Sequence, residues 1–150
     1  MATITRQKLI EWLATIDVKG RTLDIGGKVW SIKGRVKSFE GIYKTLQEDT
    51  FDLNECCWGY LKANDYDNIF CTEVMLFIYN PKEALNNLYF ILKKGGNLYI
   101  TFHFSHPLAK SHDYLRYTKK GAIRLLQEVG FTVEDIQEPI EGYYLFKCIK

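Results

Sequence analysis

The sequence predicts an α/β fold, a largely parallel sheet covered by helices and closed by an antiparallel last strand. Short apolar runs alternate along the chain with segments of helical period. The last two runs, Phe131 to Gln137 and Tyr143 to Ile149, are joined only by Glu138 to Gly142, too short a link for a parallel crossover. No repeat, low-complexity tract or Pro/Gly/Ser linker divides the 150 residues, and 47% apolar content suffices for one core, so residues 1–150 read as a single domain.

Leu9, Trp12, Leu13 and Ile16 recur at helical spacing and predict an amphipathic helix from about Thr5 to Asp17, released by Gly20. Arg21 to Ile25 stops at Gly26-Gly27 and reads as a buried first strand followed by a tight turn. Arg35 to Ile42 is expected as the second strand, Thr50 to Leu53 as a short third, and Tyr66 to Val74 as a central fourth. Asn80-Pro81-Lys82-Glu83 offers a cap, a proline at the first helical position and an acid that can reach back. That helix presents Ala84, Leu85, Leu88, Ile91 and Leu92 on one side and ends at Lys93-Lys94-Gly95-Gly96. Asn97 to Phe104 follows as a strand, and Thr118 caps a helix that Gly130 terminates.

The formal charge of +2 comes from interspersed Lys and Asp/Glu, with no basic tail, so no nucleic-acid partner is indicated. Met1 to Lys8 is charged and no apolar run approaches a membrane span, which predicts a cytoplasmic protein without membrane contact. Cys56, Cys57, Cys71 and Cys148 read as reduced thiols. With His103, His106 and His112 they give no pair at metal-ligand spacing, so no metal is expected.

In open α/β sheets ligands settle beyond the carboxyl ends of the strands. That rule gathers Asp24, Gly26 and Gly27 after the first strand, Glu40 at the end of the second, Asp52 and Leu53 after the third, and Cys71, Thr72 and Glu73 at the fourth. Glycines admit a close ligand, a carboxylate after the second strand can take both ribose hydroxyls, and Asp52 can accept from an adenine amino group. Each has a plainer alternative: a tight turn at Gly26-Gly27, a solvated Glu40, a turn cap at Asp52. After the fifth strand, His103 to Pro107 and His112 to Tyr117 bring imidazoles, a carboxylate, phenols and a guanidinium to one rim. There His106 or Asp113 is the candidate to orient or deprotonate a substrate, and Arg116 to hold an anionic group or lock the loop through a carboxylate. Asp113 and Arg116 are also spaced for a local ion pair.

Thr22-Leu23-Asp24-Ile25-Gly26-Gly27 resembles the first motif of class I S-adenosylmethionine-dependent methyltransferases, of the methyltransferase type 11 kind. Tyr66 to Val74, Asn80-Pro81 and Leu92 to Ile100 resemble that family's fourth strand, following helix and fifth strand. Arg116-Tyr117-Thr118 and Leu125 to Phe131 are similar to its last crossover helix and sixth strand. The resemblance implies a Rossmann-like sheet of about seven strands, helices on both faces, and S-adenosylmethionine as cofactor. It puts Asp24, Gly26 and Gly27 near the methionine end, Glu40 on the ribose, and Asp52 with Leu53 at the adenine. Two departures stand out: Lys28 to Lys33 is short, contains Trp30 and lacks a third glycine, and Leu76-Phe77 replaces a frequent Glu-His pair. The expected activity is methyl transfer to a small-molecule or glycan-like acceptor. A catalytically silent binding module is the alternative, and a nicotinamide-dinucleotide enzyme a further one, though G-x-G-x-x-G is missing. Trp12, Trp30 or Trp58, if exposed, could close the site through a homodimer.

Overall fold

The computed structural model describes residues 3–47, 51–108 and 113–150. Its elements are α1 (Ile4–Leu13), β1 (Asp17–Lys19), β2 (Thr22–Ile25), β3 (Ser38–Glu40), β4 (Tyr43–Leu46), β5 (Tyr66–Cys71), α2 (Pro81–Ile91), β6 (Leu92–His103), α3 (Lys119–Val129), β7 (Thr132–Ile140) and β8 (Tyr143–Ile149). The main sheet has six strands in the order β4-β2-β5-β6-β8-β7, while β1 and β3 form a two-stranded parallel sheet. Strands β4, β2, β5 and β6 run parallel, and β8 runs antiparallel to both β6 and β7. The mostly parallel sheet with a reversed last strand is the predicted architecture, one strand short of seven.

Two of the expected strands differ. The run Arg35 to Ile42 is broken at Gly41 (φ +136°), which lies against the backbone of Gly20 (φ +100°). A side chain at Gly41 would run into the Gly20 carbonyl, so the two parallel chains pass this closely only with glycine at 41, while a Cβ at Gly20 would meet the Asp67 side chain. The Gly20 amide donates to Glu40 O and the Thr22 amide to Ile42 O, both at 2.8 Å, so β1 continues into β2 beside β3 and β4. The expected third strand does not form at Phe51 to Leu53, and Thr50 lies outside the described residues.

Two buried asparagines hold that segment instead. Asn87 of α2 donates to Leu53 O (2.9 Å) and Glu55 O (2.6 Å) and accepts from the Cys57 amide (3.0 Å). Asn54 Oδ1 accepts from the Tyr79 and Asn80 amides at 3.0 and 2.9 Å. Side-chain amides thus take the backbone groups that a strand partner would have satisfied.

The sheet separates two apolar clusters. On one face Leu23, Ile69, Leu98, Ile100 and Phe146 meet Leu85, Leu88 and Ile91 of α2 and Ala122 and Leu126 of α3. On the other, Phe70, Tyr99, Tyr143 and Leu145 meet Leu9, Trp12 and Leu13 of α1 and Ile32 of the crossover from β2 to β3. Helices therefore cover both faces, and among residues 26–37 the crossover is built of turns without a helix. Helix α3 is capped as expected: Thr118 Oγ1 accepts from the Gly121 amide at 3.0 Å, and Gly130 (φ +123°) ends it. Helix α2 begins at Pro81, but Asn80 gives it no side-chain cap, and β6 starts directly at Leu92 rather than beyond the two glycines. Among the described residues no helix is long and apolar enough to cross a membrane.

Candidate functional site

The carboxyl ends of β2, β4 and β5 open onto a cleft of about 190 Å³. Ile25, Leu46, Phe51, Leu53 and Ile78 give it apolar walls, and Gln47, Asp52 and Asn54 supply polar groups. Gly26 lies in its floor with φ +78°, and a Cβ there would meet only Val74 Cγ2, at 3.8 Å. The Gly26 amide is already bonded to Leu46 O at 2.8 Å, so this glycine offers room rather than a donor. Asp52 Oδ1 accepts from the Asn54 amide (2.9 Å) and Nδ2 (2.8 Å), while its Oδ2 has no partner among the described residues.

Asp24 does not reach the cleft. Leu23 and Ile25 point into the α2/α3 core, so alternation turns Asp24 to the opposite face, where it is 1% exposed. Its Oδ2 accepts from the Ile32 amide at 3.0 Å and from the Tyr43 hydroxyl, which also bonds Ser31 Oγ at 2.8 Å. Burial raises this carboxyl to about 6, against those two hydrogen bonds and the field of Arg35. Asp24 therefore latches the crossover onto β2 and β4. Gly27 is glycine because a Cβ would collide with Asp24 Oδ2 and the Tyr43 hydroxyl. The guanidinium carbons of Arg6 and Arg35 lie 4.4 and 4.2 Å from the Trp30 ring centroid and fix the same loop from α1 and from within.

A second polar group stands where β5, β6 and β8 end. Glu73 Oε1 accepts from the Tyr143 hydroxyl at 2.6 Å, and its Oε2 lies 2.8 Å from His103 Nε2, off the line of a good N–H bond. The Glu73 amide donates to Thr101 Oγ1 at 2.8 Å, holding the residue at φ +61°. Burial opposes its charge, but the His103 contact, the Tyr143 hydroxyl and positive Arg6 hold the Glu73 carboxyl below the usual range. The same burial, with the adjacent carboxylate, pushes the Tyr143 phenol up. The His103 ring stacks on Tyr143 and meets His106 edge-on, both with centroids 4.7 Å apart.

Of the predicted cofactor residues, Gly26, Asp52 and Leu53 thus line one cleft, and Asp24 and Gly27 support it from behind. Cys71 is fully buried in the α2/α3 core, and burial raises its thiol far above the ordinary value. Glu40 is a correction: it pairs with Lys19 in the small sheet, at the amino-terminal end of the strands. Leu46 comes six positions later, roughly 20 Å along an extended chain, because the strand break at Gly41 shifts the second strand forward. At the rim, Asp113 and Arg116 bind each other bidentately, and Arg116 also reaches His106 O and Pro107 O at 3.3 and 3.4 Å. Both charges are therefore engaged in closing their own loop. His106 sits beside His103, with Nδ1 2.6 Å from Pro107 O, and His112 lies outside the described residues.

Sequence reasoning passed over Gln47, Asn54, Val74 and Phe77 as cleft residues and Tyr143 as a partner of Glu73. Pairing of β6 with β8 puts Tyr143 opposite His103, a register invisible without the fold. Of the three tryptophans, Trp12 is buried, Trp30 is held between arginines, and Trp58 is largely exposed. Among the described residues no three His, Cys, Asp or Glu side chains gather as a metal site.

No family model and no curated protein sequence matches the chain. Solved structures do. An S-adenosylmethionine-dependent methyltransferase from Thermotoga maritima superposes with TM-score 0.67 at 16% identity, over 94% of this chain and 87% of its own. The S-adenosylmethionine-dependent methyltransferase of Mesorhizobium loti gives TM-score 0.65 at 12% identity over 97% and 98%. The [4+2]-cyclase SpnF gives 0.68 at 12% over 97% and 82%. The chain has the class I S-adenosylmethionine-dependent methyltransferase fold. The cyclase among its likenesses is a reminder that this fold does not fix the reaction.

The cleft fits the nucleoside part of that cofactor. Its apolar walls suit the faces of a purine, Asp52 can accept from an exocyclic amino group, and Gln47 can pair with hydroxyls. Gly26, without a Cβ, leaves the floor open as far as Val74 Cγ2.

Proposed function

We propose that the chain is an S-adenosylmethionine-dependent methyltransferase acting on a small-molecule or glycan-like acceptor. The observation that carries the reading is the cleft at the carboxyl ends of β2, β4 and β5, with Gly26 in its floor and Asp52 and Leu53 in its wall. When bound, the cofactor supplies an electrophilic methyl group. The residues of the chain hold the nucleoside between Ile25, Leu46, Leu53 and Ile78, exclude water from it, and leave the acceptor to enter over the exposed aromatics Phe77, Tyr79 and Tyr114.

The test is calorimetric titration with S-adenosylmethionine and S-adenosylhomocysteine, with NAD as control. Binding of the first two and silence with NAD is the expected result. Asp52→Asn, which keeps one oxygen for Asn54, is expected to weaken binding about 5- to 10-fold, the worth of one hydrogen bond. A folded protein that binds neither compound contradicts the reading and leaves the silent binding module, which the spending of Asp24 on the crossover would favour.

A further inference from the structure

We propose that Glu73, His103 and Tyr143 are the acceptor end of the site: Glu73 receives the hydrogen bond of an aromatic hydroxyl compound, and the proton released on methylation comes to rest on His103. The inference rests on the methyl-transfer reading and names its substrate class.

Four observations lead to it. First, Glu73 is a non-glycine residue in left-handed backbone, which costs on the order of 1 kcal/mol, and it is pinned there by Thr101 at the end of the central strand β5. Second, its carboxylate accepts from Tyr143 on one oxygen and has His103 Nε2 2.8 Å from the other, yet its side chain keeps 21% of its surface open. His103 itself is 2% exposed, so a ligand meets Glu73 and acts on His103 through it. Third, Glu73 directly precedes Val74, which lines the cofactor cleft, so the backbone at the end of β5 serves both places. Fourth, the rim on this edge is aromatic: Phe77, Tyr79, Phe104 and Tyr114 are all exposed, and Tyr79 and Tyr114 already meet edge-on at 5.5 Å.

The chemistry separates a hydroxyl from an amine. A neutral amine carries its nucleophilic lone pair without help, whereas a hydroxyl gains from losing its proton as it attacks. A buried carboxylate–imidazole pair is the apparatus for the second case. In the step, the hydroxyl oxygen of the acceptor forms a bond to the methyl carbon of S-adenosylmethionine. The carbon–sulfur bond breaks and its electron pair stays on sulfur, neutralising the sulfonium. The hydroxyl proton passes to Glu73 and on to His103, leaving a carboxylate beside an imidazolium. Glu73 touches the acceptor; Tyr143 is a positioning residue that fixes the carboxylate oxygen nearest β8.

With three histidines in the chain, the imidazole signal of His103 can be assigned by single substitutions and followed by NMR. The probe is catechol, added to protein loaded with S-adenosylhomocysteine, with 1,2-dimethoxybenzene as the equivalent ring without hydroxyls. A saturable shift of the His103 signal with catechol, at least 10-fold weaker with the dimethoxy compound, is expected. Glu73→Gln keeps an acceptor for Tyr143, and should leave S-adenosylhomocysteine affinity within twofold while removing the catechol response. Tyr143→Phe should weaken that response severalfold. Equal responses to the two rings, or none, overturn the proposal, as does loss of S-adenosylhomocysteine binding in Glu73→Gln, which would make Glu73 a cofactor residue. Failure of the wild-type protein to bind S-adenosylhomocysteine defeats the methyl-transfer reading itself, and is seen before catechol is added.

Discussion

The two halves of this sheet are held by different forces. From β5 onward the strands are six to twelve residues long, covered by α2 and α3 on one face and by α1 on the other, with Phe70, Leu85, Leu88, Phe102, Leu126 and Phe146 wholly buried. Each such side chain stabilises by roughly 1.5–3 kcal/mol through area removed from water. Strands β1 to β4 are three or four residues long, and their crossover contributes one fully buried side chain, Ile32. Beyond the buried Val18, Leu23, Ile25 and Leu46, what fastens this half is polar and specific: the Asp24 latch, the glycine contact at Gly20 and Gly41, and the arginines on Trp30. The cleft lies on the seam, with Val74 and Ile78 from the apolar half and Gly26, Gln47 and Asp52 from the polar half. A ligand there joins the weaker half to the stronger, and should stabilise the weaker half most.

The largest effect expected is in the apolar half. Phe146→Ala should lower the unfolding free energy in urea by about 3–5 kcal/mol. Ile32→Ala should cost about 2 kcal/mol, since the turn around it can settle inward, and should leave amide exchange in β6 and β8 unchanged. An equal loss in both variants would erase the distinction between the halves.

Asp24 gives the next effect, through pH. Burial raises its folded-state value to about 6, against an ordinary 3.8. Between these values the folded protein keeps a proton that the unfolded chain has released, so this residue makes stability fall as pH rises from about 4 to 6. The full difference is about 3 kcal/mol, present above pH 6. Asp24→Asn keeps an oxygen for Ile32 and Tyr43 and should remove that slope. Melting temperatures of both proteins from pH 4 to 7 check it, and parallel curves would contradict the assignment.

Gly27→Ala pushes a methyl group into the same latch and should cost about 1–3 kcal/mol in thermal unfolding, with amide protection lost first at Ile32. Smallest is Glu40→Ala, at the far end of the strands: stability should change by less than about 0.5 kcal/mol and cofactor affinity not at all.

The sequence carried the apolar half well and the polar half poorly, for a physical reason. Helical spacing in Ala84 to Ile91, the cap at Thr118 and the short link before Tyr143 are local signals, and each element formed within a few residues of its expected place. The alternation in Arg35 to Ile42 is also local, but what decided it was a contact with Gly20, fifteen residues earlier at the nearest. Over Phe51 to Leu53 the expected strand gives way to a segment held by the side chains of Asn54 and Asn87, which carry no periodicity. Within the site, Gly26, Asp52 and Leu53 were legible because strand ends mark where ligands sit. Glu40 was misplaced with its strand. Tyr143 was passed over because only the β6–β8 register sets it beside His103 and Glu73.

The central claim is that the seam between the halves holds the cofactor, and chemical-shift mapping with S-adenosylhomocysteine tests it most directly. The amides of Gly26, Gly27, Gln47, Leu53, Val74 and Ile78 should move together and saturably, while those of Lys19, Glu40 and the β7 edge stay still. Shifts centred on β1 and β3, or none from a folded protein at millimolar ligand, would contradict it.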